Sequence, residues 1–216
     1  WVATHPEVQA AIAAPEEIRT LTRPGGAFER YYSENPASAF AARVWTNNAW
    51  VAAQSLVFGA LLGLPALYLL TVNAVNIGVA GGLMAAAGRL DVFFGLILPH
   101  GLLELTAVFI AAGTGLRLGW TVVDPGPDRR GTALAREGRA AVTLALGLAV
   151  VLLLSGVVEA FVTPSGWPTA ARVTVGAVAA AGFLGYVLVC GRRALRAGET
   201  GDLAAEEAGD QRPTAG

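Results

Sequence analysis

Two ionisable side chains lie within an apolar stretch and are the first candidates for chemistry. His100 and Glu104 are four residues apart within residues 92–116, a stretch that contains no Asp, Lys or Arg and is followed by Arg117. In a helix, this spacing places both side chains on one face. An ionised carboxylate at the centre of a membrane helix costs about 2.5–3.5 kcal/mol on insertion scales, so Glu104 has to be paired, hydrated or protonated. The pair could share a proton, bind a metal ion, or bond to each other and to the backbone.

The residues on either side of His100 predict an interruption of that helix. Pro99 removes one backbone N–H, and Gly101 weakens a helix on the other side of the histidine. The sequence therefore predicts a helix broken at Pro99-His100-Gly101. Broken helices at membrane depth commonly line sites or cavities.

A second acid and four amides could complete a polar cluster. Glu159 lies near the end of another apolar stretch and is the best candidate for the third protein ligand of a catalytic zinc site. The amides are Asn47, Asn48, Asn73 and Asn76. The alternative for all these side chains is structural, as caps or as hydrogen bonds between helices worth about 0.6 kcal/mol each. The pattern identifies no particular metal and predicts no cofactor and no catalytic residue.

The composition is that of a membrane protein. Apolar residues make up 54% of the 216 residues and charged residues 14%, whereas soluble domains have about 25% charged residues. The charge is almost absent from residues 49–88, 92–116, 140–158 and 173–191. About 20 apolar residues in a helix cross a hydrocarbon core of roughly 30 Å. We therefore predict an all-α, polytopic membrane protein with four or five transmembrane helices.

The charged residues divide the chain into three parts. Residues 1–48 are predicted to be a polar, juxtamembrane helical segment at the end of a longer native chain, since the sequence opens on Trp1. Residues 49–192 are predicted to be the transmembrane domain. Residues 193–216, rich in Gly, Ala and acids, are predicted to be a disordered tail.

Within the transmembrane domain, the number of crossings in the first half is left open, and with it the side of the membrane on which the N-terminal flank lies. A first span is expected over 49–72, kinked at Pro65, and residues 73–88 are either a thin fifth span or a re-entrant element. Residues 117–139 are expected to be a polar loop with five arginines, and three more arginines follow the last span. The positive-inside rule places this loop and the tail in the cytoplasm.

Several classes of protein are excluded or disfavoured. The net charge of −1 gives no basic surface for nucleic acid. The single cysteine, Cys190, excludes an internal disulfide and a cysteine-based zinc site. The chain has no His-Glu-x-x-His, Gly-x-Ser-x-Gly or phosphate-binding glycine motif.

Several segments, in order, resemble the stage II sporulation protein M family. The most specific is the Leu-Pro-His-Gly-Leu-Leu-Glu-Leu sequence at 98–105. Weaker matches are residues 1–6, Asn47-Asn48, Asn73 with Gly78, residues 110–119 and residues 159–164. The resemblance implies an all-helical protein of the bacterial plasma membrane with about five spans, and it carries over the positions Pro99, His100, Gly101, Glu104 and Glu159. In spore formers, the family member joins a membrane complex with a peptidoglycan hydrolase and remodels the septal wall.

Three functions are compatible with these residues. The leading hypothesis is a non-enzymatic membrane component of a cell-envelope complex, with other membrane proteins or a second copy as partners. The alternative is a permease in which His100 and Glu104 couple a proton or cation to transport. The third is an intramembrane metal-dependent hydrolase, which requires Glu159 to lie beside His100.

Overall fold

The computed structural model describes residues 1–199, and every regular element in that part of the chain is a helix. Three short helices come first: α1 (Pro6–Ile12), α2 (Pro15–Thr22) and α3 (Ala27–Arg30). Five long helices follow: α4 (Ala37–Ala60), α5 (Leu64–Ala86), α6 (Leu90–Val123), α7 (Arg130–Val157) and α8 (Thr169–Ala197). A 3₁₀ turn, Val2–Thr4, precedes α1, and a single π turn, Val158–Val162, continues α7.

Four segments are long and apolar enough to cross a membrane: Leu64–Ala86, Leu90–Val123, Arg130–Val162 and Thr169–Ala197. The predicted polytopic, all-α fold is thereby confirmed. Helix α4 is about as long as α5 but carries Arg43, Asn47, Asn48 and Gln54. It is the one of the five long helices that is not among these four segments, and it packs against α5, α6 and α7.

The first half of the transmembrane region differs from the prediction. No single span covers 49–72, because α4 ends at Ala60 and the chain reverses over 61–63, with φ of 62° at Leu62 and 82° at Gly63. Pro65 lies in the first turn of α5 rather than kinking a helix, since its fixed φ and missing N–H suit that position. Residues 73–86 are the second half of α5, a helix long enough to cross a membrane, so the predicted bounds of the first span and of the segment 73–88 are wrong.

The predicted break at Pro99-His100-Gly101 is also wrong. Helix α6 is continuous from Leu90 to Val123 with Pro99 inside it. Neighbouring helices support this turn. A Cβ at Gly176 of α8 would collide with the Pro99 carbonyl, and the Ser155 hydroxyl of α7 donates a hydrogen bond to the His100 carbonyl at 3.1 Å. Packed neighbours of this kind allow a proline inside a membrane helix.

Helix ends extend into the regions expected to be irregular. Because α6 runs to Val123 and α7 begins at Arg130, the loop predicted over 117–139 is reduced to 124–129. Arg117 and Glu137 join the two helices by an ion pair at 2.8 Å. The domain boundaries expected at 48/49 and 192/193 fall inside α4 and α8. The predicted tail is helical to residue 197, and from residue 200 onward it lies outside the described residues.

Helix α6 is the centre of the bundle and contacts all four other long helices. Helices α4 and α6 are parallel: Phe40 packs near Leu96 at one end, and Gly59 lies against Gly115 at the other. An apolar core of α4, α6 and α7 fills the space between, formed by Ala52, Ala107, Ala111, Leu148 and Leu152. The alanines at three of these positions allow the backbones of α4 and α6 to approach closely.

The short N-terminal helices cover the end of the bundle where α6 begins. Arg89, between α5 and α6, donates to the Thr22 carbonyl at 2.7 Å and pairs with Glu29 at 2.6 Å. Phe28 stacks on Phe93 of α6 with ring centroids 5.7 Å apart. The bundle therefore has one end capped by α1–α3 and another end that carries most of the arginines.

The glycine contact between α4 and α6 generates a stability prediction. A Cβ at Gly115 would overlap the Leu56 carbonyl, whereas one at Gly113 would meet no atom within 4 Å. We expect Gly115→Ala to destabilise the protein by about 1–3 kcal/mol through overpacking. The matched change Gly113→Ala is expected to be neutral or slightly stabilising, because alanine favours a helix. Unfolding of the detergent-solubilised protein, followed by circular dichroism, measures both, and equal stability of the two variants would contradict the packing.

Candidate functional site

Three ionisable side chains converge in the interior of the bundle. One ligand atom from each of His100, Glu104 and Glu159 lies within 4.8 Å of the other two. His100 Nε2 is 3.9 Å from Glu159 Oε1, and both residues are buried, with exposures of 5% and 4%. The structure therefore places Glu159 beside His100, which is the condition that a three-ligand metal site requires.

Local backbone geometry directs these side chains to one point. His100 and Glu104 lie one helical turn apart on α6. Glu159 comes from the π turn after α7, where the Thr163 N–H bonds to the Val158 carbonyl five residues back. Such wider turns are rare and frequently occur at functional sites. Antiparallel packing of α6 on α7 then brings the turn beside His100.

The imidazole of His100 is oriented from its other nitrogen. His100 Nδ1 is 3.2 Å from the hydroxyl of Thr163, which is fully buried. This contact leaves Nε2 facing Glu159, as in metal sites where the second histidine nitrogen is held by a hydrogen bond. The ring of Tyr32 lies 6.0 Å from the imidazole and covers the site from the α1–α3 side. Burial, and then the nearby carboxylate of Glu159, raise the pKa of the Tyr32 phenol, so it stays neutral.

The four predicted amides have different positions. The Asn48 amide donates to Glu104 Oε1 at 2.6 Å and so joins the cluster directly. Asn47 donates a long bond, 3.4 Å, to the Asn48 side chain. The Asn73 amide donates to the Leu69 carbonyl of its own helix, and Asn73 lines a cavity together with Glu104. Asn76 is exposed on α5 and lines neither of the cavities that contain Glu104.

A cavity of about 350 Å³ leads to the two acids from the side of α4. Arg43 lines it, with its guanidinium 5.6 Å from the Tyr31 ring centroid and 5.7 Å from that of Phe40. This cation faces the same space as Glu104 and Glu159 and offsets part of their negative charge. The cavity is therefore a polar entry to an otherwise apolar interior.

Sequence reasoning missed four residues of this site. Thr163 lies in the segment 159–164 that matched the family pattern, so its position carried a signal. Arg43 is a lone charge in the helix that leads into the apolar region, which could have marked it. Ser155 and Tyr32 carried no signal, because only the packing of α7 and of the N-terminal segment brings them to α6.

The arrangement suits a first-row transition metal ion, with zinc as the simplest case. One imidazole nitrogen and two carboxylate oxygens are common zinc ligands at about 2.0–2.2 Å, and three protein ligands leave a fourth position for water or substrate. Two ligands of a tetrahedral site at that distance are about 3.4 Å apart. The His100–Glu159 distance of 3.9 Å is therefore about 0.5 Å too long, and all three ligand atoms, which lie within 4.8 Å of one another, have to move together for a cation to bind. Without a cation or a shared proton, two carboxylates in an apolar interior repel each other.

Comparison with known proteins supports the resemblance seen in the sequence. The family model described as Stage II sporulation protein M matches residues 1–164, a range that includes the three converging side chains. An uncharacterized protein of Methanocaldococcus jannaschii is 28% identical over 123 residues, covering 56% of this chain and 69% of the relative. No solved structure matches the chain.

The geometry generates a prediction about metal binding. We expect the purified full chain to bind one equivalent of Zn²⁺ and His100→Ala to lose it, because two carboxylates remain without the imidazole. Thr163→Val is expected to weaken binding about 10–100-fold, since it frees the imidazole from its orienting hydrogen bond.

The matched control is His5→Ala, which removes the other histidine, at the N-terminal end of the chain. Elemental analysis and titration with a zinc-sensitive dye measure the stoichiometry and the affinity. Zinc binding that His100→Ala leaves intact would place the metal elsewhere.

Proposed function

Because the chain belongs to the stage II sporulation protein M family, we propose that it is a non-enzymatic, multi-pass membrane component of a cell-envelope complex. A divalent cation held by His100, Glu104 and Glu159 fixes the helix arrangement that its partners recognise. The convergence of these three side chains between α6 and α7 is the observation that carries the proposal.

A structural role for the cation follows from which helices it joins. Two ligands come from α6 and one from the turn after α7, and Asn48 of α4 bonds to one of the ligands. A cation at this point therefore couples the three helices that form the apolar core. Ligand binding that occurs only in the folded state stabilises that state by mass action.

The distribution of arginines supports one orientation in the plasma membrane. Eight arginines lie at one end of the bundle, where α6 ends, α7 begins and α8 ends: Arg117, Arg129, Arg130, Arg136, Arg139, Arg192, Arg193 and Arg196. The positive-inside rule favours this end in the cytoplasm. All five long helices then cross the membrane, and α1–α3 lie on the outer side, where a partner in the cell wall or the outer leaflet would be met.

Helix α4 supports an association with other membrane proteins. Its exposed residues include Thr46, Asn47 and Trp50, and this face is more polar than a lipid-facing helix surface. Polar side chains on membrane helices commonly bond across to another helix. We therefore propose that this face of α4 contacts a partner protein or a second copy.

A second candidate function has a specific observation in its favour. Two cavities, of about 350 and 440 Å³, have Asn47, Asn48 and Glu104 in common. A proton- or cation-coupled permease uses an intramembrane acid reached from two directions. The same residues would then exchange their cation during transport rather than keep it.

The two candidates predict different results in a flux assay and in thermal unfolding. In proteoliposomes with a pH-sensitive dye inside, the structural role predicts no flux of protons driven by an ion gradient. It also predicts that Zn²⁺ raises the unfolding temperature and that Glu159→Gln reduces this increase, because one ligand is lost. A permease predicts a proton flux that Glu104→Gln abolishes. Flux of that kind, or the absence of stabilisation by Zn²⁺, would contradict the structural role.

The orientation is testable with single cysteines in a Cys190→Ser background. Ser33→Cys lies in the segment before α4, and Thr132→Cys lies at the start of α7. In right-side-out vesicles, we expect a membrane-impermeant maleimide to label the first and to reach the second only after permeabilisation. The reverse pattern would invert the proposed topology, and detergent-solubilised protein serves as the labelling control for both sites.

A further inference from the structure

We propose that the cavity between α4, α5 and α6 binds a single-chain neutral lipid whose head group is a hydroxyl. This site overlaps the cluster around the cation site at Glu104 and at its partner Asn48, and the proposal does not depend on a bound cation. It rests on the shape of the cavity, on where it opens and on the polar groups at one end.

The cavity has the size and the walls of a site for a small amphiphile. Its volume is about 440 Å³, within the roughly 300–1,000 Å³ of typical ligand pockets. Apolar side chains from three helices form most of its wall: Val51, Leu70, Ile77, Val108 and Phe109. A hydrocarbon chain fits such walls because its burial is favourable and needs no hydrogen bonds.

The position of the opening indicates where the ligand comes from. Leu105 and Phe109 line the cavity from α6 and are 42% and 59% exposed, and Ile77 lines it from α5 and is 40% exposed. These residues belong to two helices that are long and apolar enough to cross a membrane. The cavity therefore opens sideways between α5 and α6 at membrane depth, where lipid chains reach it.

The polar end of the cavity favours a head group that donates a hydrogen bond. The Asn48 amide is bonded to Glu104, and the Asn73 amide is bonded to the Leu69 carbonyl. The carboxylate of Glu104 and the amide oxygen of Asn73 are hydrogen-bond acceptors at this end. A hydroxyl can donate to one of them and accept from an amide N–H at the same end, whereas a phosphate would meet the carboxylate with like charge.

Depth in the membrane favours an uncharged head over an amine. Glu104 lies near the middle of α6, 14 residues from its first residue and 19 from its last, which places it within the hydrocarbon core if the helix crosses the membrane. A charged head group at that depth carries a large desolvation cost, and a hydroxyl carries a smaller one once it is bonded. A monoacylglycerol or a long-chain alcohol has the required chemistry.

Gly78 provides a clean way to close the cavity. It lines the cavity on α5, and a Cβ built on it meets no atom within 4 Å. Gly78→Leu therefore fills the space without overlap at the point of attachment and favours the helix. Gly113→Leu is the matched control, because Gly113 also has open space, is exposed on α6 and does not line this cavity.

The test uses a photoactivatable monoacylglycerol with a diazirine in its chain. It is added to the full chain in vesicles of phosphatidylethanolamine and phosphatidylglycerol, and cross-linked residues are mapped by mass spectrometry. We expect labelling at the cavity residues of α5 and α6, and a fall of about tenfold in Gly78→Leu, since the leucine displaces several methylenes of the lipid chain. Gly113→Leu should label like the unmodified protein.

Two further arms keep the proposal separate from folding defects and from the cation site. A probe with the same chain but a phosphate head should label the cavity much less, because it meets the Glu104 carboxylate with like charge. Asn73→Leu should lower labelling by the monoacylglycerol probe, because it removes one of the two acceptors at the polar end. Gly78→Leu should keep the unfolding temperature and zinc stoichiometry of the unmodified protein, so a failure of the cation proposal would appear in a different measurement. Labelling of the cavity that Gly78→Leu does not reduce, or equal labelling by the two probes, would overturn the inference.

Discussion

The structure depends on the need to compensate two carboxylates inside an apolar helix bundle. Glu104 and Glu159 lie close together in a region where water is scarce, and charges there are stable only when they are paired, bonded or protonated. Polar and basic side chains around the two acids provide this compensation. Asn48 donates to Glu104, His100 lies close to both acids, and Arg43 lines the cavity that leads to them. This requirement explains why α4 carries Asn48 and Arg43 on the side that faces the acids.

Close helix contacts make the arrangement possible. Glycines at the α4–α6 and α6–α8 contacts bring the backbones together, which places Asn48 and Pro99 where they are observed. In a bilayer, helices are not held together by the hydrophobic effect, so close packing and buried hydrogen bonds have to do it. The hydrogen bonds of the polar cluster and the glycine contacts therefore both hold α6 against its neighbouring helices.

The family and the geometry constrain function at different levels. The family identifies a helical membrane protein of the stage II sporulation protein M type, and membership by itself defines no reaction for the buried residues. The geometry adds three converging side chains that could hold a cation and two cavities that meet at Glu104.

The sequence by itself determined the helical membrane fold, the three later spans and the residues His100, Glu104 and Glu159, because long uncharged stretches are typical of membrane helices and acids within them are costly. It did not determine the reversal at 61–63, since a leucine and a glycine with positive φ are not distinguishable from the apolar residues around them. It also predicted a break at Pro99 that neighbouring helices prevent. Only the tertiary structure decided that Glu159 reaches His100, that Ser155, Thr163 and Tyr32 surround them, and that Asn76 stays apart. The reason is that helical spacing specifies which residues share a face, whereas the contacts between faces depend on how closely the helices approach and on their rotation.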